Sequence, residues 1–99
     1  MIRRREVLGN PDELLVESQH RQSSYKMPLA IIHLLDIKLE QTNSGLEQAG
    51  EERATRNEMV GMLIATACRE DTAGLSLEER ILFYREMTIG DLLPETVSH

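Results

Sequence analysis

Pro28 opens the stretch that most constrains how this chain can fold. After it, Ile31, Leu35 and Leu39 recur at i, i+4 and i+8, while Ile32, Leu34 and Ile37 widen the apolar face. That period predicts an amphipathic helix, and proline suits its start because the missing amide has no intrahelical partner there. Thr42-Asn43-Ser44-Gly45 interrupts the pattern, but Leu46 and Ala49 resume it, so the helix is expected to run to about Gln48 and leave near Gly50. Gly50 to Ala54 reads as a turn. Thr55-Arg56-Asn57-Glu58 then has the capping-box form and opens a second helix. On that helix Met59, Leu63 and Ala67 lie in one apolar row and Val60 and Ile64 in the next, while Gly61, Ala65 and Thr66 permit close approach on another face. Asp71 to Gly74 breaks it, and Ser76-Leu77-Glu78-Glu79 is a second capping box. The third helix carries Leu77, Ile81, Phe83 and Tyr84 and fades at Thr88 to Gly90. Upstream, Asn10-Pro11-Asp12-Glu13 supplies a cap, a first-turn proline and two dipole-matched carboxylates, predicting a short helix of about two turns through Leu14, Leu15 and Val16.

The apolar residues available to this fold are few and small. Ninety-nine residues contain one Phe, two Tyr and no Trp, so the core must be aliphatic and thin. A chain of this size buries only about 60–65% of its unfolded surface, a shortage that oligomerisation relieves. Met27, Met59, Met62 and Met87 read as filler for an irregular core. Cys68 is the sole cysteine, which excludes an internal disulfide, and no Cys or His cluster has zinc-ligand spacing. His33 and Asp36 are spaced for a hydrogen bond but form no metal or catalytic constellation. With no phosphate loop, catalytic triad or paired-carboxylate site, the expectation is a non-enzymatic protein without metal or cofactor. Leu29 to Leu39 is broken by His33, Asp36 and Lys38, and Arg3-Arg4-Arg5 precedes no apolar run. No membrane span or signal peptide is therefore expected, and a reducing cytoplasm is the natural setting.

Charge is unevenly distributed along a chain of net charge -6. Residues 1–27 hold five Arg or Lys against four Asp or Glu, whereas residues 71–99 hold two against six. Bulk attraction to nucleic acid is disfavoured by the overall sign, but a slightly basic front leaves a local contact open. The acidic segment from Asp71 to Glu95 could dock a second protein or serve as a solubilising flank.

Between His20 and Met27 the chain has no helix start, is rich in Ser and Gln, and ends at a proline that biases Met27 towards an extended conformation. The order of extended segment, proline, long helix, short turn and capped helix resembles the ribbon-helix-helix family of DNA-binding proteins, the MetJ/Arc/CopG group. Gln22 to Pro28 and Thr55 to Ile64 carry the resemblance, which covers residues 21–68. It implies a mainly α fold with a ribbon-helix-helix core. One short strand would pair across a homodimer, followed by two helices, with an extra N-terminal short helix and a C-terminal helix. The division is then an N-terminal arm over 1–20, the DNA-binding domain over 21–68, and a C-terminal helix with acidic tail over 69–99.

In that family two chains form an antiparallel ribbon whose outward side chains enter the major groove. The family pattern would turn Ser23, Tyr25 and Met27 inward and present Gln22, Ser24 and Lys26 to DNA. Lysine can donate to guanine, glutamine can pair with adenine, and serine serves either. The resemblance also places Thr55, Arg56 and Asn57 at the start of the second helix, where amides and the dipole meet phosphate. It implies a small regulator of double-stranded DNA: a repressor, an antitoxin that binds its own operator, or a plasmid partition or relaxosome accessory protein. A toxin or relaxase would then suit the acidic segment.

Other readings of the same residues remain open at this level. Gln22, Ser24 and Lys26 could belong to a solvated linker, Arg56 could pair with Glu52, and Arg3 to Arg5 could be a loose end or an arm touching phosphate. The alternative function is a helical protein–protein interaction module without nucleic-acid binding. A helix-turn-helix arrangement would instead point Arg56, Asn57 and Gly61 into the groove, but the turn at 50–54 has its only Gly at the start.

Overall fold

The computed structural model describes residues 10–67 and 69–92. Arg3 to Arg5, Cys68 and the segment from Pro94 onward lie outside the described residues. Among the described residues the fold is mainly α: α1 spans Leu29–Gln48, α2 Arg56–Ala67 and α3 Leu77–Arg85, with single 3-10 turns at Leu15–Glu17, Glu70–Thr72 and Ile89–Leu92. No helix among the described residues is long and apolar enough to cross a membrane.

The helix ends follow their capping chemistry. At the end of α1, Gly50 adopts φ 76°, its amide donates to Glu47 O at 3.1 Å, and the Glu51 amide donates to Leu46 O at 2.8 Å. This paired closure needs a left-handed residue, which glycine supplies without the side-chain clash. At α3 the capping box is complete: the Ser76 hydroxyl accepts from the Glu79 amide at 3.2 Å and the Glu79 carboxylate accepts from the Ser76 amide at 2.9 Å. At α2 only half of it forms. The Thr55 hydroxyl accepts from the Glu58 amide at 3.1 Å, but the Glu58 carboxylate accepts instead from Arg85 at 2.7 and 3.1 Å.

The core sits where the carboxyl half of α1, α2 and α3 meet. Leu46, Ala54, Met59, Met62 and Ile81 form its centre, with Leu35, Leu39, Leu77, Leu82 and Tyr84 packed around it. Met59, Met62 and Met87 are buried as expected, but Met27 is 40% exposed. The polar interruption of α1 is among the most tightly packed parts of the molecule. Thr42 and Asn43 are buried. The Asn43 amide donates to Ala54 O at 3.0 Å, and its carbonyl accepts from the Ala54 amide at 2.6 Å, clamping the interhelical turn. A Cβ at Gly45 would lie 2.7 Å from Glu78 Cγ, so glycine is what lets α3 approach α1 here.

Three expectations need correction. On α2 the buried face is Met59, Met62, Ala65 and Thr66, while Leu63 and Ile64 point outward. The small-residue face is the one that packs: a Cβ on Gly61 would lie 2.7 Å from the Tyr84 hydroxyl oxygen. Gly61 is thus covered by α3 and unavailable as a groove-facing residue. Second, residues 11–18 form one 3-10 turn rather than a two-turn helix, because their backbone groups pair elsewhere. The Leu15 amide donates to Met87 O, the Ile89 amide to Glu13 O and the Gly90 amide to Pro11 O, each at 2.9 Å. Third, the short strand expected between His20 and Met27 is not seen. Residues 21–28 have no regular secondary structure and are all exposed, and residues 21–27 make no backbone hydrogen bond to another described residue.

Candidate nucleic-acid interface

The segment before Pro28 lies beside the first turns of α1 and α2. Pro28 (φ -56°, ψ 141°) is extended and its carbonyl accepts from the Ile31 and Ile32 amides at 3.0 and 3.2 Å, which starts α1 at Leu29. At the other end of the segment the His20 imidazole Nδ1 lies 2.7 Å from Ser18 O. Between these two points the chain forms one wall of an open groove of about 690 Å³, and the amino end of α2 forms another.

Gln22, Ser24, Arg56 and Asn57 all line this groove, so four of the six expected contact residues share one concavity, together with Ser23, Tyr25 and Met27, which the ribbon pattern would place on the opposite face. Lys26 is exposed but lies outside its walls. Thr55 is exposed at the entrance to α2, where its hydroxyl caps the helix, and lines a neighbouring cavity instead. Arg21 and His20 join the groove lining as further donors. From Ser18 to Leu35 the sequence contains no Asp or Glu, although the chain is acidic overall. Arg21 and Lys26 are the cationic side chains of that run, a local charge bias readable from the sequence.

Arg56 is not paired with Glu52. Its Nε donates to Asp36 Oδ1 at 3.1 Å, and its Nη2 donates to Oδ1 at 2.8 Å and to Oδ2 at 3.0 Å. Both side chains are about half exposed, at 57 and 45%. Asp36 therefore serves Arg56, and His33 makes no hydrogen bond to it. Glu52 contributes its main-chain carbonyl to Arg85 Nη2 at 3.0 Å. With the Glu58 contacts, Arg85 thus ties α3 to the turn and to the first turn of α2.

The ribbon pattern would turn Ser23, Tyr25 and Met27 inward. Within one chain they do not turn inward: Tyr25 is 79% exposed. A second apolar surface adjoins the groove. Met27, Ile31, Leu34, Val60 and Leu63 line a trough of about 310 Å³ between α1 and α2. Ile31, Leu34 and Ile37 are 48, 48 and 54% exposed, so the amino half of α1 carries its aliphatic side chains into solvent. Among the described residues no group of three or more His, Cys, Asp or Glu is placed to hold a metal ion. No protein-family model, curated protein or solved structure matches the chain.

Proposed function

We propose that the protein is a homodimeric, sequence-specific DNA-binding regulator of ribbon-helix-helix type. The observation that carries the reading is the convergence of Gln22 and Ser24 with Arg56 and Asn57 on one groove, one wall of which is drawn from the acid-free run between Ser18 and Leu35. Base-reading and phosphate-gripping chemistries belong side by side in such an interface. In this reading residues 21–27 of two copies pair as an antiparallel ribbon. Their unpartnered backbone groups supply the ladder, Gln22, Ser24 and Lys26 face the major groove, and Ser23, Tyr25 and Met27 turn towards the shared core. Thr55, Arg56 and Asn57 meet the phosphates at the start of α2.

The exposed trough supports the homodimer in magnitude. Covering the exposed fractions of Ile31, Leu34, Ile37 and Leu63, each about half, on both copies would contribute on the order of 6–11 kcal/mol, scaled from about 1.5–3 kcal/mol for a side chain taken from full exposure to full burial. Association costs about 4–15 kcal/mol, so this face is of the size that decides whether a dimer forms. The second reading, a helical protein-interaction module, draws on the same trough. Sedimentation or mass measurement combined with duplex binding across a salt series separates the two. The DNA-binding reading expects a dimer whose log affinity falls by about 0.9 per phosphate contacted for each unit of log salt. A salt-insensitive monomer would refute it.

A further inference from the structure

We propose that Asp36 is an internal competitor for the phosphate-gripping arm of Arg56, so that the protein meets DNA with that arm already filled and Asp36 sets the affinity. The inference rests on the DNA-binding reading of the groove. Its basis is the geometry of the pair. A guanidinium grips a phosphate through the same planar fork with which it grips a carboxylate. In this structure the Nε–Nη2 fork of Arg56 is occupied by both oxygens of Asp36. Arg56 is also the first residue of α2, the helix end at which the dipole favours anions. Asp36 is the first carboxylate after the acid-free run that ends at Leu35. It thus places a carboxylate on the cation at the start of α2, while Glu58 in the same turn is taken up by Arg85.

Exposure makes the clasp displaceable. An ion pair between half-exposed side chains is worth about 0–1 kcal/mol, so an incoming phosphate can replace Asp36. Neutralising Asp36 should therefore strengthen binding rather than weaken it, which is the reverse of what a positioning carboxylate would give. Glu40 lies one helical turn along α1, is more exposed, and contacts Arg53 at 3.6 Å instead of Arg56. It is the control for the general effect of removing one negative charge from this helix.

Fluorescence anisotropy of the full chain on a labelled random-sequence duplex compares the wild type, Asp36→Asn, Arg56→Gln, the double variant and Glu40→Gln. Asp36→Asn is expected to bind about two- to fivefold tighter, the effect of releasing an exposed ion pair. The gain should vanish when Arg56→Gln is added, and Glu40→Gln should not reproduce it. In the unmodified chain, the Arg56 Nε–H resonance should move when duplex is added. If Asp36→Asn binds no tighter than Glu40→Gln, if its gain survives the loss of Arg56, or if that resonance stays in place on bound DNA, the inference is overturned while DNA binding stands. If the wild type itself shows no salt-dependent duplex binding, the DNA-binding reading falls and takes the inference with it.

Discussion

Two adjacent buried polar residues on α1 should respond in opposite ways to truncation. Asn43 makes two hydrogen bonds to the backbone of Ala54, and both residues are buried. Asn43→Ala leaves the Ala54 amide and carbonyl without partners, each at about 1–3 kcal/mol. Partial relaxation of the turn towards solvent recovers some of this, so the expected loss is about 2–5 kcal/mol out of a total near 5–15 kcal/mol. Thr42 is equally buried, yet its hydroxyl oxygen has no partner. Thr42→Val keeps the shape and the β-branch while removing an unsatisfied group, so it should be neutral or stabilising by up to about 1 kcal/mol. Urea denaturation followed by circular dichroism measures both, at one protein concentration because association would shift the midpoint. With m near 1–3 kcal/mol/M, Asn43→Ala should lower the midpoint by on the order of 1–2 M at unchanged slope, while Thr42→Val should leave it in place or raise it. A loss below about 1 kcal/mol for Asn43→Ala, or equal losses for the two variants, would refute the clamp.

Arg85→Ala should cost about 2–3 kcal/mol, since it strands the mostly buried Glu58 carboxylate and frees the turn carbonyls of Glu52 and Arg53; thermal unfolding measures the loss. Gly61→Ala should destabilise by about 1–2 kcal/mol, because overpacking against the Tyr84 hydroxyl outweighs the gain in helix propensity, and Tyr84→Phe should restore most of it in a double-mutant cycle. Burial first, and the Glu58 charge second, push the Tyr84 phenol above its ordinary range, so the folded state holds that proton more tightly than the unfolded chain. Its contribution is therefore fully present below the unfolded value of about 10 and is lost as pH rises from there through the raised folded value, and Tyr84→Phe should flatten the fall in stability above about pH 10. Leu34→Lys should leave the circular dichroism spectrum intact, because that side chain points away from the core, and under the proposed homodimer it should shift sedimentation from dimer to monomer; a dimer unchanged by it would refute this face as the interface.

Much of the helical frame was legible because it rests on local chemistry. Pro28, Gly50, Thr55 and Ser76 mark boundaries through backbone rules that operate within one turn, and α1, α2 and α3 begin or end where those residues say. The faces were less legible. Periodicity locates a stripe of aliphatic side chains but does not say whether the surface it meets belongs to the same chain. On α2 the stripe of Leu63 and Ile64 looked like the core side, whereas the chain packs its Gly61–Ala65 side inward, where the missing side chain of Gly61 leaves room for the Tyr84 ring of α3. The short N-terminal helix failed for a related reason: its amides and carbonyls are taken by residues 87–90, a long-range pairing that no local signal announces. At the candidate site, the residue types on the groove could be named from the resemblance, but the partner of Arg56 could not, because Asp36 lies one helix away.

These mismatches share one physical pattern. Around the aliphatic core, several of the contacts that close the single chain use small or polar groups: Asn43 on the turn, Gly45 under Glu78, Gly61 under Tyr84, and Arg85 across to Glu58. The larger aliphatic side chains of the amino half of α1 and the outer face of α2 are left in solvent. A chain with three aromatic residues has little apolar surface to spare, and side chains left about half exposed forgo roughly half of the 1.5–3 kcal/mol that full burial gives. In the homodimer proposed above, a second copy would cover that face. The same face adjoins the groove where Gln22, Ser24 and Arg56 converge. Association and DNA contact are therefore expected to be lost together when the aliphatic face is made polar, and separately when Arg56 is replaced.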